Sequence, residues 1–316
     1  MDAVRKRGYP VPIVYSAEGP DMIMEQLDGP TLADAVLDGS LPVEEGAAIL
    51  ADLHDRLRGT GYVHLDLHPF NVMLTPAGPM VIDWRNAGQG PPDLDLAATA
   101  LVLGMVALDP EFPAAAAVGV FLESFLHKAT GDPLAEMPAA LKRRNADPNL
   151  TADEKARLPQ AARLVARHAI RIREVLDSDI ETLYEIQSEP EGSAMAAVAS
   201  RDREAFLAHF AKTQADPGVR RRVILCGSHV AGDVGCWDQD GETLLGYRIG
   251  KPFWGRGIAT RAVELFTGEF TVRPLRAFVA AHNAGSIRVL EKAGFTCIEG
   301  PTVAEDGVEE YLYELS

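Results

Sequence analysis

The rhythm of apolar and polar positions changes near residue 165, and the kind of element it predicts changes with it. Residues 11–28 hold two short apolar runs, VPIVYSA and DMIMEQL, on either side of Gly19-Pro20. They predict two strands joined by a turn. LDGPTLADAVLDG follows as a connector with a short helix. From about Pro42 to Arg58, Val43, Ala47, Leu50, Leu53 and Leu57 recur at steps of three and four, which predicts a helix with one apolar face. Pro42 suits its first turn, and Gly59 and Gly61 close it. VMLTPAGPMVIDW reads as a hairpin turning at Pro76–Pro79, and mostly helical sequence continues to about residue 140. The apolar run Leu96 to Leu108, 13 residues between Asp95 and Asp109, is too short to span a bilayer and reads as a buried helix.

Residues 142–163 are polar and interrupted by prolines, so a linker is expected over 146–165, between a first domain at 1–145 and a second at 166–316. AIRIREV (169–175) reads as a strand, and Ser178 with Glu181 matches a capping box opening a helix. RRVILCGSHVAGDVGCW predicts a hairpin turning at Gly227-Ser228. Then come a strand, LLGYRIG, a helix, IATRAVELFTGEF, a strand, RAFVAAH, a helix, GSIRVLEKAG, and two closing strands, FTCIEG and EEYLYEL. The expected fold is two-domain α+β, mainly helical first and mixed α/β second.

Composition narrows the function classes. The 316 residues are 47% apolar, which suits two globular domains. A formal charge of −16 argues against general nucleic-acid binding and against anionic membrane surfaces, and leans towards a cationic or neutral substrate. The excess is larger in front: residues 1–160 carry 12 basic and 23 acidic side chains, the rest 18 and 23. Cys226, Cys236 and Cys297 form no CxxC pair and read as buried free thiols in a reducing cytoplasm. MDAVRKRGYP lacks the apolar stretch of a signal peptide.

The strongest chemistry lies in GYRIGKPFWGRGIATRAVELF. A strand ends at Gly250, and the turn Trp254-Gly255-Arg256-Gly257-Ile258-Ala259 opens into a helix. Glycines let backbone N–H groups converge, and a helix N-terminus adds partial positive charge, a combination that binds a pyrophosphate. It is not G-x-G-x-x-G, so a dinucleotide fold is not indicated. About two dozen residues later comes AAHNAGSIRVLEKAGF.

Together these segments resemble the GNAT acyltransferase superfamily, nearest the branch of ribosomal-protein N-terminal acetyltransferases. The likeness covers about residues 168–316 and implies a splayed central sheet. It implies acetyl-CoA as cofactor, its pyrophosphate on the backbones of Trp254, Gly255, Arg256, Gly257, Ile258 and Ala259. The preceding strand, through Arg248 and Ile249, would pair with the pantetheine arm, and Asn283 would contact the cofactor. Leu290 stands where many relatives have the tyrosine that protonates the departing thiolate. Ser286 matches a serine proposed for that role in the nearest branch. Asp238 and Glu242, flanking the strand that meets the cofactor, are the expected bases. The implied acceptor is a small-molecule amine or a protein N-terminus, its pocket lined by variable loops around 187–222.

In the first half, VHLDLHPFNVML carries His64-x-Asp66 and then Asn71, the H-x-D-x-x-x-x-N spacing of kinase catalytic loops, with Asp83 following in VIDW. In such a loop Asp66 orients and deprotonates a hydroxyl, while Asn71 and Asp83 hold Mg²⁺ against nucleotide phosphates. Asp95 is expected to cap and brace the next helix. The stretch from about Tyr9 to Leu126 resembles the aminoglycoside phosphotransferase and choline-kinase-like family, with MIMEQLDG as the adenine hinge. No glycine-rich turn precedes residue 25, and Lys6 is the only lysine before the loop. The stretch therefore reads as a kinase-type large lobe lacking most of its small lobe, and phosphoryl transfer from Mg-ATP is expected to be very slow. The function expected of the chain is acetyl-CoA-dependent N-acetyl transfer behind a degenerate kinase-like module. The alternative is a bifunctional phosphotransferase and acetyltransferase.

Overall fold

A computed structural model describes residues 1–19, 21–197, 199–303 and 307–316. Pro20, half of the expected Gly19-Pro20 turn, lies outside them. The chain forms two compact units, Met1–Ala169 and Ile170–Ser316.

The first unit runs α1 (Asp2–Arg5), β1 (Val14–Glu18), β2 (Asp21–Met24), α2 (Leu32–Leu37), α3 (Val43–Arg58), β3 (Tyr62–Val63), β4 (Val72–Thr75), β5 (Gly78–Val81), β6 (Gly88–Gln89), α4 (Pro92–Ala107), α5 (Ala115–Lys128), α6 (Met137–Asn145) and α7 (Ala152–Ala169). Its core lies among α3, α4 and α5, where Leu50, Leu53, Leu57, Leu96, Leu101 and Phe125 are almost wholly buried. The apolar run after Asp95 is α4, whose neighbours cover it nearly all round. Strands β1–β2, β3–β6 and β4–β5 form three two-stranded sheets.

The segment 146–165, read as a linker, folds instead mostly as α7. Leu158, Ala161, Val165 and Ala169 recur at helical spacing and are buried against α4, α5 and α6. Its start was written in the sequence. Thr151 and Glu154 form a capping box, the hydroxyl accepting from the Glu154 N–H and the carboxylate accepting from the Thr151 N–H at 2.7 Å. The polar outer face and Pro159 hid that stripe.

The second unit runs β7 (Ile170–Arg173), α8 (Ile180–Ser188), α9 (Pro190–Ala196), α10 (Arg203–Ala215), β8 (Arg220–Cys226), β9 (His229–Gln239), β10 (Glu242–Ile249), α11 (Ile258–Glu269), β11 (Leu275–Ala280), α12 (Ala284–Lys292), β12 (Thr296–Val303) and β13 (Glu309–Leu315). The strands form one sheet in the order β12-β13-β11-β10-β9-β8-β7. Alternation sets its faces. Val223 and Leu225 pack with Leu183, Phe206 and Phe210 of α8 and α10, whereas Arg222, between them, reaches Glu269 of α11 on the other face.

The β10–β11 pair is parallel and short. It joins Thr243 to Leu275 and Leu244 to Arg276, and no pairing continues beyond. The two strands run on to Ile249 and Ala280, so the sheet splits and a cleft opens between them.

Three local expectations change. The capping box of Ser178 and Glu181 does not form. Asp179 makes the reciprocal pairing with Leu176, accepting its N–H at 2.8 Å, and is held by Arg173 at 2.6 and 2.9 Å, while Glu181 pairs with Arg203. A buried carboxylate with a guanidinium partner outcompetes an exposed serine for that turn. Cys297 is exposed, because β12 is the sheet edge, whereas Cys226 and Cys236 are buried as expected. The stretch around 187–222, read as pocket loops, is largely the helices α9 and α10.

Candidate functional site

The turn before α11 adopts the conformation its glycines allow. Gly255 has φ +72° and Gly257 φ +77°, left-handed values that cost L-residues strain. A Cβ built at either would meet nothing within 4 Å, so both border open space. Gly257 is the N-cap of α11. The first-turn N–H groups, from Ile258 and Ala259 onward, therefore have no acceptor inside the helix. Trp254 pins the turn to the strand before it, its indole N–H donating to the Ile249 carbonyl at 2.7 Å. Arg256 turns its guanidinium back towards the Pro252 carbonyl and Cys226 Sγ, above the Phe253 ring.

A cavity of about 590 Å³ begins at this turn. Trp254, Gly255, Gly257, Ile258, Ala259, Arg248, Ile249, Asn283 and Ser286 all line it, so eight of the cofactor positions expected from the sequence, and the expected acid, face one space. Arg256 is the cofactor position that does not line it. Asn283 is engaged at both ends of its amide. Its Oδ1 caps α12 by accepting from the Ser286 N–H at 3.0 Å, and its Nδ2 donates to the Met195 carbonyl at 2.8 Å. It thereby fixes the end of α9 beside α12.

A second cavity, about 350 Å³, lies in the split of the sheet and shares Tyr247, Arg248, Asn283 and Ser286 with the first. Two residues that sequence reasoning passed over stand here. Tyr247 lies where the two spaces meet, its hydroxyl donating to the Ser286 carbonyl at 3.3 Å. Burial pushes its pKa up to about 12, so it holds its proton at neutral pH. Asp233 sits opposite Arg248 in the neighbouring strand and 3.6 Å from Arg221. Burial raises its carboxyl above the ordinary aspartate range, against the pull of Arg221 and Arg248. Strand alternation carried the signal for both, but the register that aims Asp233 into the split needs the fold.

Asp238 and Glu242, the expected bases, lie elsewhere. They occupy the β9–β10 turn end, and neither lines either cavity. Glu242 opens β10 and Ile249 closes it, about 23 Å away by strand rise. Asp238 accepts from the Thr243 hydroxyl at 2.8 Å, and Glu242 is paired with Arg276, which Glu314 also holds.

In the first unit the loop from His64 to Asn71 is tied to the end of β5. His64 Nε2 lies 2.9 Å from the Ile82 carbonyl, and the Ile82 N–H donates to the Asn71 carbonyl at 3.0 Å, which brings Asp83 beside Asn71. The Asn71 amide donates to the Asp66 carbonyl at 2.9 Å. Leu65 and Asp83 hold left-handed φ values, +64° and +57°. Asp95 accepts the Leu65 N–H at 2.6 Å, so it braces the strained loop rather than capping its own helix. A magnesium ion on Asn71 and Asp83 would need phosphate oxygens to complete its shell. Among the described residues no cluster of three or more His, Cys, Asp or Glu is placed to hold a metal, and no helix is long and apolar enough to cross a membrane.

Comparison with protein families finds two matches. Residues 169–296 match the acetyltransferase (GNAT) domain, and residues 17–134 match the phosphotransferase enzyme family. Among curated proteins, none matches this chain. Solved structures similar to it include a GNAT-family acetyltransferase from Bacillus anthracis, 18% identical, covering 46% of this chain and 94% of that one, TM-score 0.41. A spermidine N-acetyltransferase from Vibrio cholerae, solved with CoA and spermine, is 17% identical over 46% of this chain and 93% of its own, TM-score 0.40. RimL, a ribosomal-protein alpha-N acetyltransferase, is 15% identical over 46% and 90%, TM-score 0.42. The chain thus carries a GNAT acetyltransferase domain following a domain of the phosphotransferase enzyme family.

Proposed function

We propose that the second unit transfers an acetyl group from acetyl-CoA to a primary amine by direct attack. One observation carries the reading: two left-handed glycines and an open helix N-terminus face a cavity that continues, past Tyr247, into the split between β10 and β11. The residues present fit the cofactor. Backbone N–H groups from Gly255 to Ala259 would hold its diphosphate. The unpaired edge of β10, through Arg248 and Ile249, would hold its arm. When bound, acetyl-CoA supplies an activated acetyl group.

The chain's own groups then orient the amine and move protons. Asp233, in place of Asp238 and Glu242, accepts the ammonium proton and frees the nitrogen lone pair. The amine nitrogen forms its bond to the acetyl carbon, and the carbon–sulfur bond breaks. Tyr247, or Ser286 beside it, gives a proton to the sulfur and is reprotonated by the second proton that the nitrogen sheds as the amide forms. Most of the acceleration is proximity, since the two cavities meet where amine and thioester must meet. Two buried cysteines outside any disulfide, Cys226 and Cys236, suit a reducing cytoplasm.

The acceptor is a small amine or a protein N-terminus. Thiol release from acetyl-CoA in the presence of a panel of amines tests the reading. Amine-dependent release that Asp233→Asn lowers about a hundredfold is expected. Release independent of every amine contradicts it.

A second reading, phosphoryl transfer in the first unit, has one observation in its favour. The strain at Leu65 and Asp83 is the kind that functional loops keep. Lys6 is exposed just after α1, however, and no anchoring lysine for the α- and β-phosphates stands between it and the loop. Calorimetry with Mg-ATP is expected to show weak binding or none, and micromolar binding would favour the bifunctional enzyme.

A further inference from the structure

The acidity of the whole chain points to a cationic acceptor, but the acceptor side of the split sheet has the opposite character. Along β10, Leu244, Gly246 and Arg248 share a face, and their partners on β9 are Trp237, Gly235 and Asp233. Arg221, paired with Gly235 from β8, lies on the same face. This is the face towards α10, since the Arg221 guanidinium lies 4.9 Å over the Phe210 ring. Three guanidinium groups, Arg201, Arg221 and Arg248, line the cavity there against two carboxylates, Asp233 and Glu310.

Among the described residues, Asp233 lies at ion-pair distance only from Arg221. Among the described residues, the Arg201 and Arg248 side chains make no hydrogen bond and no ion pair within 4 Å, and Arg248 is only partly exposed. Three guanidinium groups against two carboxylates leave the cavity one positive charge in excess, which an anionic group on the acceptor would balance. His209, on the same wall, reports the same field. Burial, Arg201, Arg221 and Lys212 all hold its pKa below the usual range. Phe206, Trp237 and Phe278 give the same cavity an aromatic side.

We propose that the acceptor is an amine that also carries a carboxylate, an amino-acid-like zwitterion with an apolar body, and not a polycation. Arg248 and Arg201 take the carboxylate in charge-assisted hydrogen bonds. The ammonium lies towards Asp233, which receives its proton, and the aromatic wall covers the body. This rests on the acetyl-transfer reading above and names the substrate of that same site.

The test is thiol release from acetyl-CoA with matched amines on the full chain: the common L-amino acids, their amides, the amines lacking the carboxylate, and spermidine. At least one free amino acid is expected to exceed its amide and its decarboxylated counterpart at least tenfold in kcat/KM. Arg248→Gln should remove most of that preference through KM for the amino acid, about tenfold. Arg201→Gln, on an exposed side chain, is expected to act in the same direction without threatening the fold. Spermidine or a decarboxylated amine used as well as any amino acid overturns the proposal. So does a preference for the amides, which would identify a peptide N-terminus, or acetyl-CoA binding with no amino acid turned over. If acetyl-CoA does not bind at all, the acetyl-transfer reading falls first.

Discussion

Single residues decide the chemistry, and three of them give separable outcomes. Asp233 accepts a proton only when ionised, and burial raises its carboxyl. Activity therefore falls as pH drops through a limb lying above the usual aspartate value of about 4. A kcat/KM profile against pH should show that limb in the native protein and lose it in Asp233→Asn. A limb that persists in the variant points to another base. Tyr247, with its pKa near 12, stays a donor across the working range. Tyr247→Phe should lower kcat about tenfold or more with KM for acetyl-CoA unchanged, and Ser286→Ala distinguishes the two hydroxyls. Some of this was legible in the residues. The glycines of the turn announced themselves by type and spacing, because few turns need two left-handed residues, whereas Asn283 was named only through the family resemblance. Asp238 and Glu242 were chosen for flanking the strand, but a strand is long, and they sit at its end away from the cavities.

At the scale of elements, periodic apolar stripes were readable and competing caps were not. α3 and α4 lie where their spacing put them. α7 was lost to its polar composition, although Thr151 and Glu154 marked its start. At α8 the motif was present but unused, since Asp179 already held the turn. Asp179→Ala would leave Arg173 without its buried partner and the Leu176 N–H unpaired. It should cost the second unit roughly 2–4 kcal/mol, read from urea unfolding. In α3, His54 is buried in the apolar core against the Phe125 ring, and burial lowers its pKa to about 4. A folded value below the unfolded 6.5 means that its contribution is fully present above pH 6.5. That contribution is lost as pH falls towards 4. The urea midpoint of the first unit should decline over that window, with Asp55, Arg58 and Asp95 as its charged neighbours. An unchanged midpoint would mean that His54 is solvated.

Taken as a whole, the molecule divides its sequence between two cores, each with its own buried cluster. The acidic excess of −16 lies mostly in the first 160 residues, while the cavity in the split sheet of the second unit collects guanidinium groups. Acetyl-CoA binding to the native second unit alone should raise thermal stability by mass action, about 2.7 kcal/mol at a hundredfold excess over Kd. The central claim is that the turn before α11 grips the diphosphate of acetyl-CoA through its backbone. Calorimetric titration of the full chain with acetyl-CoA, beside Gly257→Val, tests it most directly. The account predicts micromolar binding in the native protein and at least a hundredfold loss in the variant, whose side chain would strain the left-handed φ and fill the space the phosphates need. Equal affinity in the two proteins would contradict it.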